Sequence, residues 1–288
     1  MNIPTEMIVR VLNRYLQTAD RVTWSRFDEF DWDSLAESEE VARLTVAELS
    51  AVRTSLLVED HIPGYVTEYF RFFRVDESVS PEVAWRNRQI LHFVFNWGAE
   101  EDRHAHVLEL YLRSSGHVED PSLTAEMVHE GTKPFQSPHD EASLIFTYAM
   151  LQEKATQLFY QKLYSAVEHA PILRRVLRRL FQDEARHCSF FSELVLMDLQ
   201  HNGLRIIPRL REAVDAFQMP LAGMLENYKR QAIAMRRAAK GYDHREAFSQ
   251  LDAVIHRYAY AASNSKSSPV EDLYTAVRNI APTGEETL

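Results

Sequence analysis

Glycine is scarce: there are 8 in 288 residues, less than half of the roughly 7% usual in globular chains. Folds rich in sheets and tight turns need positive-φ positions, so the shortage argues against them and predicts long helices joined by few turns. Cysteine occurs once, at Cys188, which excludes an intramolecular disulfide framework and a thiolate metal site and fits a reducing compartment. No apolar run approaches the ~18 residues that a membrane span requires; the longest uncharged stretches lie at about 90–99 and 142–152. Residues 1–6 show no basic-then-apolar targeting pattern, so a cytoplasmic location is expected. Positive charge is in deficit as well, with 32 basic against 42 acidic residues and a net charge of −10, which speaks against general nucleic-acid binding.

What is present is helix punctuation. Thr45 and Glu48 form a capping box, opening an apolar-periodic segment that runs to about residue 73, with Pro63-Gly64 inside it. Ser80-Pro81 is a cap followed by a proline at the first helical position, and that helix can continue to Gly116 with one tolerated glycine at Gly98. A short segment follows Asp120-Pro121. Ser137-Pro138 repeats the cap-and-proline start for a helix to about residue 169, and Pro171 opens another that ends at Asn202-Gly203. Helical stretches at about 205–240 and 243–262 follow. The four central helices are expected to span ~40–50 Å each at 1.5 Å per residue. No linker-like shift in composition divides them. The expected fold is therefore all-α: an elongated helical bundle forming one domain over residues 1–262, with a core at about 40–225, extra helices at both ends, and a loose tail rich in Ser, Asn, Pro and Thr over 263–288.

Two of these helices carry the same five-residue pattern, an acid, then Glu, any residue, Arg and His: Glu100 to His104, and Asp183 to His187. Within each, Glu and His stand at i and i+3, on one face about a turn apart, where a carboxylate and an imidazole can hold one metal ion together. Spacing alone is weak, since 42 acids and 12 histidines produce roughly two acid-x-x-His pairs by chance. Glu126/His129 and Asp198/His201 are read as that background. The repeated longer pattern, mid-helix in apolar surroundings, lifts the other two above it. The remaining long helices each supply one acid near an apolar face, Glu59 and Glu153. Taken singly, each is equally a paired glutamate at the edge of the core. Taken together, one Glu from each of two helices and Glu-x-x-His from each of two others is the ligand pattern of carboxylate-bridged di-iron bundles. Four carboxylates offset two divalent ions, and oxygen and nitrogen donors without thiolate suit iron or manganese.

At these segments the sequence resembles the soluble acyl-carrier-protein (acyl-ACP) desaturases, a ferritin-like di-iron family, and most closely their shorter bacterial members. The matching stretches are Val58-Glu59-Asp60-His61-Ile62-Pro63-Gly64-Tyr65, Trp97-Gly98-Ala99-Glu100-Glu101-Asp102-Arg103-His104, Gln152-Glu153-Lys154-Ala155-Thr156, Asp183-Glu184-Ala185-Arg186-His187 and Phe217-Gln218-Met219-Pro220. The resemblance implies two iron ions held by Glu59, Glu101, His104, Glu153, Glu184 and His187, with Glu101 and Glu184 as bridges. It implies that Thr156 faces the cluster and manages protons, and that Trp97, Arg103, Asp183 and Arg186 support it. A ligand histidine gives its other N–H to a carboxylate or carbonyl, and Glu100 and Asp183 are candidates for that. The activity implied is desaturation: O2 and two electrons from a ferredoxin remove two hydrogens from an acyl chain carried on acyl carrier protein. The same ligands would serve another di-iron oxygenase, a hydroxylase or N-oxygenase, and a protein that only binds iron or the carrier is the remaining alternative.

The carrier is acidic, so docking needs a local basic face on this acidic chain. Residues 201–240 are rich in Arg and Lys, and the resemblance favours Arg205, Arg209 and Arg211 near the Met219-Pro220 segment. A homodimer is implied in the same way. Aromatic stretches at Phe93 and Phe95, at Leu144 to Phe146 and at Phe159-Tyr160 are candidates for lining an acyl tunnel, although such stripes are more often ordinary core.

Overall fold

Local sequence signals set most helix boundaries. In the computed structural model, which describes residues 3–116, 118–137 and 139–263, the Thr45 hydroxyl accepts the Glu48 N–H while the Glu48 carboxylate accepts the Thr45 N–H. The capping box thus opens α3 (Val46–Glu59). The Ser80 hydroxyl caps α5 (Pro81–Ser114) through Val83 N–H. Helix α8 (Pro171–Asn202) stops at Gly203, whose φ of 61° is a conformation that favours glycine. Around these stand α1 (Thr5–Val22), α2 (Trp32–Glu37), α6 (Asp120–Gly131) and α11 (Phe248–Ser263). No strand occurs among the described residues. The expected tail beyond residue 263 lies outside them.

Three expectations need correction. The segment at 45–73 is two helices, α3 and α4 (Ile62–Phe72). Pro63 has no N–H, and in a continuous helix its ring would clash with the carbonyl of residue 59, so α3 ends at Glu59 itself. Helix α7 (Ala142–Ala166) starts later than Ser137. The Ser137 hydroxyl accepts His139 N–H and its own N–H donates to Glu68, so it holds a loop instead of a helix start; Pro138 lies outside the described residues. The stretch at 205–240 is broken into α9 (Ile207–Asp215) and α10 (Tyr228–Ala238). Between them stand Pro220 and two residues with positive φ, Leu221 at 60° and Asn227 at 57°. The long helices α5, α7 and α8 have 34, 25 and 32 residues.

Helices α7 and α8 are joined by only residues 167–170, which makes them antiparallel neighbours, and they share the most extensive helix interface. Helix α3 packs on α5 and α10, α1 lies across α5 and α8, and α11 covers α8. Gly98 lets α4 approach α5 closely: a Cβ there would meet the Val66 side chain at 3.3 Å.

The apolar interior is in two parts. One is built from residues such as Phe93, Phe146, Phe191 and Leu194; the other contains Leu56, Leu108, Tyr160, Leu163 and Leu177. Along α5 the first core takes residues up to Trp97 and the second resumes at Ala105. On α8 the second core ends at Leu180 and the first begins at Cys188. The residues left between are those of the two repeated motifs, so the bundle encloses a polar layer between two apolar ones.

Helix α8 has no cap from its own neighbourhood, its N-cap being Ala170. Glu40, far away in sequence and buried, does that work: its carboxylate accepts the Ile172 and Leu173 N–H groups, both at 2.9 Å, and the Tyr111 hydroxyl at 3.0 Å. Glu40→Ala leaves three donors, two of them buried, without this acceptor and should destabilise the fold by about 2–3 kcal/mol. Urea unfolding would show this as a lower midpoint at unchanged m; an unchanged midpoint would refute the capping role.

Candidate metal centre

The polar layer gathers the six acids and histidines singled out in the sequence. Glu59, from the last residue of α3, Glu101 and His104 of α5, Glu153 of α7, and Glu184 and His187 of α8 are at most 5% exposed. Their ligand atoms form two overlapping groups, each within 4.8 Å: Glu59, Glu101, His104 and Glu184, and Glu101, Glu153, Glu184 and His187. Glu101 and Glu184 belong to both. Each presents one oxygen to each histidine. Glu101 Oε2 is 3.6 Å from His104 Nδ1 and its Oε1 is 2.9 Å from His187 Nδ1. Glu184 Oε1 is 3.3 Å from His104 Nδ1 and its Oε2 is 3.9 Å from His187 Nδ1. Glu59 approaches only His104, at 3.9 Å, and Glu153 only His187, at 3.4 Å.

The outer nitrogens are held from the opposite helix. His104 Nε2 donates to Asp183 Oδ2 at 3.2 Å, and His187 Nε2 donates to Glu100 Oε2 at 2.8 Å. The acid that opens each motif therefore serves the histidine of the other motif. An ionised carboxylate only accepts, so this fixes the hydrogen on Nε2 and turns Nδ1 of each neutral ring toward the cluster. Arg186 ties the two carboxylates together, donating to Glu100 at 2.7 Å and to Asp183 at 2.9 Å. Arg103 lies over the Trp24 ring, 5.3 Å from its centroid. Trp97 donates its indole N–H to Glu153 at 3.1 Å.

Several participants escaped the sequence reading. Tyr15 of α1 donates to Glu100 Oε2 at 2.6 Å, and Trp24, in the loop after α1, donates to Asp183 Oδ2 at 2.8 Å. Neither stands in a motif, and nothing local marks them. Tyr160, considered only as a tunnel residue, donates its hydroxyl to Glu59. Its place seven residues after Glu153, on the same face of α7, was a usable signal. Thr156 lines a cavity beside Glu59. Of the other proposed tunnel residues, Phe95 is exposed, while Phe93 stacks on Phe190 in the core. Arg209 bonds to Glu212 and Glu141, Arg211 to Asp215, and Arg205 to the Asn202 carbonyl.

The electrostatics divide the carboxylates. Burial, reinforced by Glu101 and Glu184, pushes Glu59 well above the ordinary range; burial and Glu184 do the same to Glu153. Burial also acts to raise Glu101, but the two imidazoles beside it outweigh that and hold it low. Glu184 follows the same pattern, with burial and Glu101 opposed by His104 and His187. Burial alone would lower the imidazoles. Asp183 and Glu101 hold His104 up, and Tyr15, Glu100 and Glu101 hold His187 up.

The donor set fits divalent metal ions. Among the buried polar atoms without a hydrogen-bond partner are Nδ1 of His104 and of His187 and Oε1 of Glu101 and of Glu184, and these converge on one another. Orphaned buried acceptors are costly, and ions placed among them would satisfy all four. Sulfur takes no part: burial pushes the Cys188 thiol up to about 12, and its Sγ contacts the Met150 carbonyl oxygen at 3.6 Å.

Comparisons with known proteins point the same way. A family model described as fatty acid desaturase matches residues 5–269. The chloroplastic stearoyl-ACP 9-desaturase 6 of Arabidopsis thaliana is 29% identical over 156 residues, 51% of this chain and 38% of the relative. The Mycobacterium tuberculosis protein DesA2, named as an acyl-ACP desaturase, is 26% identical over 165 residues, 57% of this chain and 54% of the relative. The chain thus spans less than two thirds of the length of either curated relative. The X-ray structure of DesA2 superimposes with a TM-score of 0.61 at 18% identity, covering 93% of this chain and 98% of that one, and shows the shared ferritin-like helical fold. By its sequence over nearly its whole length, this chain belongs to the fatty acid desaturase family.

Proposed function

We propose that the protein is a di-iron acyl-ACP desaturase, which uses O2 and electrons from a ferredoxin to place a double bond in an acyl chain carried on acyl carrier protein. The observation that carries this reading is the pair of overlapping ligand groups sharing Glu101 and Glu184. Glu59 and His104 would hold one iron, Glu153 and His187 the other, and Glu101 and Glu184 would bridge them. Held there, two irons would supply the O2-dependent oxidising power that a strong, unactivated C–H bond requires and that no side-chain acid or base provides.

The chain's own residues do the rest. Asp183 and Glu100 set the tautomer and orientation of the histidines, while Trp24, Tyr15 and Arg186 hold those acids in place. The two apolar cores exclude water from the layer, and Trp97 and Tyr160 keep Glu153 and Glu59 oriented. Thr156, on the wall beside Glu59, is placed to pass a proton. Arg205, Arg209 and Arg211 are exposed; Arg209 pairs with Glu212 and Glu141 and Arg211 with Asp215, which lowers what each offers an acidic carrier. A homodimer and a cytoplasmic location belong to the same reading. Among the described residues, no helix is long and apolar enough to cross a membrane.

Two tests follow. Anaerobic loading with ferrous iron should give about two irons per chain and a higher Tm, since a ligand that binds only the native state stabilises it. Glu100→Gln and Asp183→Asn should weaken binding by about 10–100-fold through the histidine each supports; full affinity in both would refute the support assigned to them. For the reaction, reduced, iron-loaded protein is exposed to air with acyl-ACP and the product analysed by mass spectrometry. Loss of two hydrogens supports desaturation, whereas gain of one oxygen atom would replace it with oxygenation. Glu153→Ala should abolish turnover and lower the iron content. A fully active, fully loaded variant would remove Glu153 from the ligand set.

A further inference from the structure

Helix α10 concentrates positive charge in an acidic chain. Over 226–246 there are six Lys and Arg against three acids, and α10 itself contains no acid. Lys229 and Arg230 stand in its first turn, at the positive end of the helix dipole, where cations oppose the helix instead of supporting it. The stability of α10 therefore does not explain them. Pairing does not explain them either: among the described residues, no acid forms an ion pair with Lys229, Arg230, Arg236, Arg237 or Lys240. Of the acids nearest in sequence, Glu226 faces His129 at 3.3 Å and Asp243 is held by Arg245 at 2.7 Å, while Glu246 is exposed. Basic residues elsewhere are already engaged. Arg209 and Arg211 of α9 pair with Glu141, Glu212 and Asp215, Arg179 of α8 pairs with Glu29, and Arg174 lies over the Tyr164 ring.

The periodicity of α10 gives it two sides, since each residue advances the helix by about 100°. Tyr228, Ala232 and Met235 share one side and line the cavity that also touches Glu59 and Thr156. Lys229, Arg230, Ile233 and Arg237 share the other and are exposed. Arg236 stands at the boundary, exposed and yet lining the cavity. Ile233 lies among the outer cations and is 52% exposed. An apolar side chain ringed by cations matches a partner surface that rings an apolar contact with acids: the centre excludes water and the charges steer the encounter. The position suits an acyl carrier as well. Helix α10 packs on α3, whose last residue is Glu59. Helix α9 packs on α7 instead, and none of its residues lines the cavity beside Glu59.

We propose that the acidic carrier docks on the outer side of α10, through Lys229, Arg230 and Arg237 around Ile233, and not on Arg205, Arg209 and Arg211. Its acyl arm then passes Arg236 toward Glu59 and Thr156. The proposal rests on the acyl-carrier reading above and names the surface that reading requires.

The test uses the full, iron-loaded chain and fluorescently labelled acyl carrier protein, with Kd read by anisotropy. Arg230→Glu with Arg237→Glu should weaken binding at least about tenfold, because each substitution turns attraction into repulsion. Arg205→Glu with Arg211→Glu should change it by less than about twofold. Raising salt from about 0.05 to 0.5 M should weaken binding by the wild type far more than by the α10 variant. Iron content and Tm equal to those of the wild type show that the substitutions leave the bundle intact. A second measurement needs no variant: saturating carrier should protect Lys229 and Lys240 of the wild type from acetylation, read by mass spectrometry. Unchanged acetylation of both lysines, or a loss of affinity in the α9 variant as large as that in the α10 variant, would overturn the proposal and leave the acyl-carrier reading intact. Phosphatidylglycerol vesicles bound more tightly than the carrier, and released by the α10 substitutions, would overturn it by giving this face to a membrane surface. No binding of any acylated carrier by the wild type would overturn both.

Discussion

The structure depends on a layer of four carboxylates and two imidazoles buried between two apolar cores. An isolated ionised group in such surroundings costs several kcal/mol or more, so the layer persists only if its charges cancel locally. Two divalent ions placed among these ligand groups would balance the four carboxylates. The rest of the bundle follows from keeping this layer dry. Leu56, Leu108 and Leu177 close it on one side, and Phe93, Phe146 and Phe191 on the other. Long, unbroken α5, α7 and α8 carry both cores and the layer between them.

Orientation is solved by crossing. Glu100 and Asp183 stand one residue before the inward-facing acids of their own helices and reach across to the histidines of the opposite ones. Arg186 joins the two, so the supports of both histidines form one network. Helix α1 and the loop after it complete that network with one aromatic donor on each side, Tyr15 to Glu100 and Trp24 to Asp183. The N-terminal segment is thus more than an addition to the bundle: it holds the groups that hold the histidines. Glu40 does comparable work at the start of α8, where a distant carboxylate replaces a missing cap.

The break after Glu59 has consequences of its own. Ending α3 there leaves Glu59 at a helix terminus, with Tyr160 bonded to it and a cavity beside it. The break in the C-terminal stretch matters equally. Met219 and Pro220 in the irregular segment, and Met235 and Arg236 on α10, form the outer wall of that cavity. A single continuous helix over 205–240 could not supply both parts of the wall.

Much of this was legible in the sequence because it is local. Glu-x-x-His at i and i+3 places two side chains on one helix face wherever that helix lies, and the caps at Thr45 and Ser80 and the stop at Gly203 operate within one turn. Pro63 also marked its break, since a proline removes a hydrogen bond four residues back whatever surrounds it. Which helix faces which was not local. That Glu100 serves His187 and Asp183 serves His104, that Tyr15 and Trp24 reach the same carboxylates, and that Ser137 holds a loop instead of starting a helix all depend on packing between distant segments. The residue types and their spacing determined what could bind metal; only the tertiary structure decided how those residues are turned, supported and reached, because orientation across a bundle is set by helices packing on one another.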